Sequence, residues 1–214
     1  MREILRYDSV TSVTLVELDP AMIALFREQP MLRKLNRDSL HDARVHVINA
    51  DAFRWLADRE DDPQAEPFDA IIIDFPDPTN YSLGKLYTNS FYSLVERSLT
   101  ASGYFVVQTT SPLIARQSFW TVATTLESIG LSIAPYHAHV PSFGEWGYVI
   151  AGRRPYVLPT TLPSGLRFLT APTLPLLFDF PPDMARVPTE VNRPSNQVLV
   201  DTFEREWGRY ESMQ

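Results

Sequence analysis

The sequence predicts an α/β fold built on a mostly parallel sheet. Short runs of β-branched and apolar residues alternate along the first two thirds of the chain with longer segments of helical periodicity. Of the 214 residues, 44% are hydrophobic and 21% are charged, values typical of a globular chain with a sizeable core. Because parallel strands need crossover connections, this alternation predicts right-handed βαβ units.

The first predicted elements follow clear start signals. They are a helix end at 2–8, a strand at 13–18, a helix from Asp19 towards Leu35, a strand at 45–49 and a short helix after Asp51. Asp19 stands before Pro20, which predicts an N-cap followed by proline in the first turn. The segment 68–75, FDAIIIDF, is apolar enough to predict a strand buried on both faces.

The later elements lead to a predicted domain boundary near Arg153. We expect a helix near 88–99 with Gly103 as its stop signal, a strand over 104–109, a helix at 116–129 closed by Gly130, and strands near 131–139 and 146–152. The following residues are rich in proline and lack periodicity. We therefore predict a main α/β domain at 1–153 and an irregular extension at 154–214, which packs on it and ends in an amphipathic helix near 198–210.

Composition excludes several classes of function. The formal net charge is 19 − 26 = −7, which argues against binding the phosphate backbone of nucleic acid but not against small cationic substrates. The chain has no cysteine, so disulfides, thiolate metal sites and cysteine nucleophiles are excluded. The four histidines show no metal-ligand spacing, and no metal site is predicted. No apolar run approaches the roughly 20 residues of a membrane helix.

The opening of the sequence differs from that of an open nucleotide-binding sheet, which begins with a strand, a Gly-rich turn and a helix. No glycine precedes Gly84, yet Glu17 and Asp19 lie where the acid that follows such a turn is expected. We therefore expect the sheet to lack its first strand and Gly-rich loop, leaving the strands at 13–18 and 70–74 each with an unpaired edge. A domain that never had the loop is the alternative.

Polar residues end the predicted strands, where parallel sheets bind their ligands. Glu17 follows the strand at 13–18, and its carboxylate can accept both hydrogen bonds of a ribose diol. Asp51 follows the next strand and can accept from an adenine amino group. Both roles indicate a nucleoside, although Asp19 and Asp51 are equally suited to be helix N-caps.

The segment Asp74-Phe75-Pro76-Asp77-Pro78 follows the most apolar strand. Two carboxylates three residues apart, in a loop stiffened by two prolines, can hold an ammonium group and accept its proton. A turn with solvated acids is the other interpretation.

Several motifs in order resemble a known family. They are VTLVELDP, NADAF, FDAIIIDFPDP, LYTNSFYSLVERSLTASGYFVVQTTSP and VPSFGEWGYVIAG, within about residues 1–153. Together they resemble the spermidine synthase family of polyamine aminopropyltransferases. GLRFLT and FPPDMARVPTEVNRPSNQVLV resemble a bacterial subgroup whose synthase domain often follows several membrane helices. The resemblance implies a Rossmann-like fold of the S-adenosylmethionine-methyltransferase type.

The resemblance also implies a reaction. An aminopropyl group passes from decarboxylated S-adenosylmethionine, the co-substrate, to putrescine or a related amine, giving spermidine and methylthioadenosine without a prosthetic group. The implied partners are small polyamine and nucleoside molecules, not nucleic acid, and a homo-oligomer is typical of the family. The implied location is the cytoplasm, with the parent protein held at the bacterial inner membrane only through upstream helices.

Roles follow from the resemblance position by position. Glu17 matches the acid that holds the ribose, and Asp51 with Ala52, which replaces the usual glycine, matches the adenine-binding pair. Asp74 matches the catalytic aspartate that takes the proton of the amine. The remaining candidates for substrate binding are Asp77, Gln108, Tyr81, Phe143, Glu145 and Trp146. Phe143 stands near a cleft tyrosine of the family, whose hydroxyl is lost here.

Two other functions stay open on the sequence alone. A methyltransferase would use Glu17 and Asp51 in the same way but has less need of two paired acids. A non-catalytic nucleoside-binding remnant is favoured by the absence of the Gly-rich loop.

Overall fold

The computed structural model describes residues 1–212, which form two compact units. The first is Met1–Pro63 and the second begins at Gln64. Residues 154–212 group with the second unit, and the last two residues of the predicted extension lie outside the described part. The division into domains at 1–153 and 154–214 stays a prediction.

The first unit contains two parallel strands and three helices. They are β1 (Val13–Glu17), α1 (Pro20–Glu28), α2 (Pro30–Asn36), β2 (Val45–Asn49) and α3 (Ala52–Glu60), with 3-10 turns at Ile4–Arg6 and Ser39–His41. The strands pair in register from Val13 opposite Val45 to Glu17 opposite Asn49. Their carboxyl ends therefore lie side by side, as predicted for the two strands.

The single helix expected from Asp19 towards Leu35 is interrupted at Gln29. The backbone of Gln29 is extended, with φ −70° and ψ 119°, and a separate helix begins at Pro30. Proline disfavours the helical conformation of the residue before it and has no N–H to continue the hydrogen-bond ladder. The prediction of one continuous helix was wrong for that reason.

The second unit holds a four-stranded sheet with the order β3-β4-β6-β5. Its elements are β3 (Phe68–Ile73), α4 (Tyr81–Gly84), α5 (Asn89–Arg97), β4 (Leu99–Gln108), α6 (Arg116–Glu127), β5 (Ser132–Val140), β6 (Gly144–Gly152) and α7 (Val198–Glu211). Two 3-10 turns lie at Lys85–Tyr87 and Pro175–Phe178. The final helix was predicted from its amphipathic sequence. No helix within residues 1–212 has both the length and the apolar character needed to cross a membrane.

The strands and helices confirm the α/β class, but the sheet of the second unit is mixed, with one parallel pair of strands and two antiparallel pairs. β3 pairs with β4 in parallel, whereas β6 is antiparallel to both β4 and β5. The connection between Val140 and Gly144 is too short for a crossover, so these two strands form a hairpin. In the described residues, β1 pairs only with β2 and β3 only with β4, so each keeps one edge without a strand partner, as expected.

Helices α5 and α6 cover one face of the second sheet. Tyr92 of α5 stacks on Phe105 of β4, and Phe119 of α6 lies against Gly147 of β6. On β3, Ile73 points to this face and is 4% exposed, whereas Ile72 points away and is 60% exposed. The prediction that this strand is buried on both faces was therefore wrong.

Gly103 is not a helix stop but an interior residue of β4. Helix α5 ends at Arg97 and the strand begins at Leu99. A Cβ atom at Gly103 would lie 3.0 Å from the carbonyl oxygens of Phe68 and Asp69, beside an irregularity in the β3–β4 register. Glycine is needed here because two backbones approach closely.

Candidate functional site

The carboxyl edge of the first unit carries the residues predicted to bind a nucleoside. Glu17 ends β1, and its Oε1 accepts a hydrogen bond from the Asp19 N–H at 2.9 Å. Asp19 caps α1 by accepting from the N–H of Ala21 at 2.8 Å. Asp51 caps α3 by accepting from the N–H of Arg54 at 3.1 Å. Both aspartates therefore act as helix caps, which leaves Glu17 as the carboxylate of this edge without a capping role.

An open cavity of about 560 Å³ lies in the first unit, with Glu17 on its wall. This volume is in the range of small-molecule sites. Apolar side chains such as Leu15 and Phe26 line much of it. In the described first unit, Asp51 and Ala52 do not line this cavity. The nucleoside-binding roles of these three residues stay predictions.

In the second unit, Asp74 lies beside Gln108 at the carboxyl edge of the sheet. Ile73 is the register partner of Val107, so the residues that follow each of them are neighbours. Gln108 is in turn opposite Tyr148 of β6. Burial raises the pKa of Tyr148, and the negative charge of Asp74 raises it further. The effect of Asp74 on Tyr148 agrees with the strand register, which places Asp74, Gln108 and Tyr148 next to one another across three adjacent strands.

The two carboxyl groups of the loop after β3 differ in exposure to solvent, and that of Asp77 is less exposed than that of Asp74. Asp77 is half-buried, and burial raises the pKa of its carboxyl above the ordinary value. Asp74 is exposed. The Tyr87 hydroxyl also has a raised pKa, first from burial and then from the charges of Asp77 and Asp74. Both acids therefore lie near this buried tyrosine, and the loop offers two carboxyl groups of unequal burial.

Of the three aromatic residues predicted to bind substrate, Tyr81 and Phe143 are exposed and Trp146 is buried, with 7% of its surface exposed. Tyr81 begins α4 and is 61% exposed, and Phe143 in the β5–β6 turn is 63% exposed. Phe143 packs on Trp146, with ring centroids 5.3 Å apart, and Trp146 packs on Trp207 of α7 at 6.2 Å. The indole of Trp146 is thus part of an aromatic cluster that includes the last helix.

Glu145 contacts His137 of the neighbouring strand, on the face of β6 opposite to Tyr148. Its carboxylate is 2.5 Å from Nδ1 of His137, whose Nε2 is 2.8 Å from the carbonyl oxygen of Asp179. Side chains three residues apart on a strand point to opposite faces, so Glu145 points away from the face that carries Tyr148. A role for Glu145 in substrate binding stays a prediction, as do those of Asp77, Gln108, Tyr81, Phe143 and Trp146.

Sequence reasoning missed two tyrosines of the second unit. Tyr148 is opposite Gln108, and it stacks on Tyr136 of β5 with ring centroids 5.0 Å apart. The signal that would have found them is the hairpin register, which aligns both with the end of β4. The strands at 131–139 and 146–152 were predicted, but their antiparallel order was not.

The fold is of the α/β class, and these carboxylates follow its strands at the edge where open parallel sheets bind their ligands. The chain belongs to the family described as the spermine/spermidine synthase domain, whose model matches residues 1–158. The family resemblance drawn from the motifs is thereby confirmed.

Curated relatives agree with this assignment. The chain is 47% identical to a polyamine aminopropyltransferase of Leptospira interrogans over 98% of this chain and 41% of the relative. It is 47% identical to polyamine aminopropyltransferase 2 of Ralstonia nicotianae, over 97% of this chain and 40% of the relative. The chain thus spans about two fifths of the length of these relatives.

Solved structures share the fold. Spermidine synthase from Thermotoga maritima matches with a TM-score of 0.66 and 23% identity, over 84% of this chain and 61% of the other. A spermidine synthase in complex with the transition state analogue AdoDATO matches with a TM-score of 0.64 and 21% identity, over 84% and 60% of the two chains. These likenesses show the Rossmann-like α/β fold expected from the motifs.

Proposed function

We propose that the protein is a polyamine aminopropyltransferase, which transfers an aminopropyl group from decarboxylated S-adenosylmethionine to putrescine or a related amine. The observation that carries the proposal is the acidic loop after β3, where Asp74 lies beside Gln108 and Asp77 is half-buried. The names of the curated relatives and membership of the family support it.

The reaction suits carboxylates because the co-substrate is already activated. The lone pair of the neutral amine forms a bond to the aminopropyl carbon while the carbon–sulfur bond breaks. The bonding pair returns to sulfur, and the sulfonium becomes the neutral thioether of methylthioadenosine. The lone pair becomes free when Asp74 accepts a proton from the ammonium form of the amine, and after the transfer the substituted nitrogen carries the positive charge that the sulfonium has lost.

Asp77 and Gln108 would hold the amine in line with the reacting carbon. The raised pKa of the Asp77 carboxyl means that it retains a proton to higher pH than an exposed aspartate does. A cationic amine nearby would favour its charged form, so binding of the amine and ionisation of Asp77 would support each other. Tyr81, Phe143, Glu145 and Trp146 complete the proposed substrate-binding set.

Glu17 would hold the ribose of the co-substrate, and Asp51 with Ala52 its adenine. No prosthetic group is needed, because the sulfonium supplies the activation. We place the protein in the cytoplasm, with a homo-oligomeric assembly and an inner-membrane attachment through other segments as further parts of the proposal.

The products distinguish this function from its rivals. The protein is incubated with decarboxylated S-adenosylmethionine and putrescine, and in parallel with S-adenosylmethionine, and the products are separated by mass. We expect spermidine and methylthioadenosine in equal amounts. S-adenosylhomocysteine would instead indicate a methyltransferase, and binding of methylthioadenosine without turnover would indicate a non-catalytic nucleoside-binding protein.

A further inference from the structure

The acidic loop is tied to a buried tyrosine. Tyr87 ends the 3-10 turn at Lys85–Tyr87 and is 1% exposed. Its hydroxyl donates to the carbonyl oxygens of Pro76 at 3.0 Å and Phe75 at 3.3 Å. These two carbonyls lie between the two aspartates of the loop, so the hydroxyl holds the backbone that separates the carboxyl groups.

Aromatic packing reinforces this attachment. The ring of Phe75 meets the ring of Tyr87 edge-on at 6.5 Å and that of Phe91 at 5.5 Å. Pro76 and Pro78 have no N–H to donate, so contacts made through the carbonyls of the loop and through the Phe75 ring contribute more to holding it in place. Tyr87 contacts both of them.

The backbone of Tyr87 is in turn held by the C-terminal part of the chain. Asn192 is completely buried, and its Nδ2 donates to the carbonyl oxygen of Tyr87 at 3.0 Å. Its Oδ1 accepts from the N–H of Leu199 in α7 at 3.2 Å, and its own N–H donates to Oγ1 of Thr125 in α6 at 2.9 Å. A continuous series of hydrogen bonds therefore leads from α6 and α7 through Tyr87 to the acidic loop.

We propose that Tyr87 is a positioning residue of the aminopropyltransferase reaction, which sets the placement of Asp74 and Asp77 through the carbonyls of Phe75 and Pro76. This proposal rests on the proposed function. The hydroxyl does not exchange protons with the loop, because both of its partners there are carbonyl oxygens. Its contribution is the placement of the acids, and a displacement of about 1 Å in a catalytic group can lower turnover roughly 100-fold.

The chain offers a matched control for removal of this hydroxyl. Tyr92 lies on the next helix, α5, and is also completely buried. Within residues 1–212 its hydroxyl has no hydrogen-bond partner. Tyr87→Phe and Tyr92→Phe therefore remove the same atom from two buried rings, and only the first releases the loop.

The test combines kinetics with amide hydrogen exchange of the peptide 74–80. For Tyr87→Phe we expect kcat to fall at least about tenfold while the KM for decarboxylated S-adenosylmethionine stays unchanged. The unfolding midpoint should fall by only about 2–4 °C. Exchange in the peptide 74–80 should become several-fold faster. Tyr92→Phe should match the wild type in kcat and in exchange.

The proposal is overturned if Tyr87→Phe retains wild-type kcat and exchange, or if Tyr92→Phe loses as much as Tyr87→Phe. It is also overturned if the loss appears in KM for the co-substrate with kcat unchanged. The exchange measurement needs no turnover. If the wild type forms no methylthioadenosine, the proposed function fails, and wild-type exchange rates in Tyr87→Phe would separately show that the hydroxyl does not hold the loop.

Discussion

Replacing Glu17 by Gln tests how the proposed co-substrate is bound. The glutamine oxygen can still accept the hydrogen bond that Glu17 takes from the Asp19 N–H, so the end of β1 should keep its shape. The change removes the negative charge from the side chain that lines the cavity of the first unit. Any loss of nucleoside affinity would therefore come from the lost charge and not from local unfolding.

The size of the loss follows from two hydrogen bonds to a ribose diol. A bond to a charged acceptor contributes about 1.5–3 kcal/mol and a neutral one about 0.5–1.5 kcal/mol. The difference is about 1 kcal/mol for each bond and about 2 kcal/mol for the pair. This corresponds to a Kd roughly 30-fold higher for Glu17→Gln.

Isothermal titration calorimetry with methylthioadenosine measures the effect, and Asp19→Asn is the control. Asn caps a helix as well as Asp does, so this variant removes one charge from the same strand end and keeps the cap of α1. We expect Asp19→Asn to bind nearly as the wild type does. Unchanged affinity in Glu17→Gln, or an equal loss in Asp19→Asn, would refute the assignment of Glu17 to the ribose.

Two further predictions concern stability. Burial raises the pKa of Asp77 in the folded state, so ionisation of Asp77 lowers stability at pH values above its ordinary pKa of about 3.9. Asp77→Asn should therefore raise the unfolding midpoint at pH 7 but not at about pH 3. An equal rise at both pH values would contradict this explanation. Gly147→Ala would place a Cβ atom 2.5 Å from the ring of Phe119 and should cost about 1–3 kcal/mol in urea unfolding. Its control is Gly208→Ala in α7, which meets nothing within 4 Å and should be neutral or slightly stabilising, and equal effects in the two variants would show that packing is not the cause.

The local sequence predicted most elements because their signals are local. Proline and aspartate at the start of α1, and the β-branched runs of β1 and β2, specify those elements without help from distant residues. The break at Gln29 was also encoded locally, in the proline that follows it, but the apolar spacing across it favoured one helix. Local proline chemistry overrides periodicity there.

Features that depend on distant contacts were not predictable in the same way. The exposure of Ile72 depends on which face the helices cover, and the place of β6 between β4 and β5 depends on the pairing of the whole sheet. Among the site residues, the position of Asp74 after β3 was evident from the sequence. The role of Tyr87 could not be predicted from its neighbours in sequence, because the partner of its hydroxyl is a loop eleven residues away.

In the proposed reaction, Asp74 accepts the proton of the amine. The most direct measurement compares Asp74→Asn with the wild type in turnover of decarboxylated S-adenosylmethionine and putrescine, together with the affinity of each for methylthioadenosine. An asparagine keeps the size of the side chain but cannot accept the proton. We expect turnover in Asp74→Asn to fall roughly 100-fold or more while methylthioadenosine affinity stays within about twofold. Turnover near that of the wild type in Asp74→Asn would contradict it.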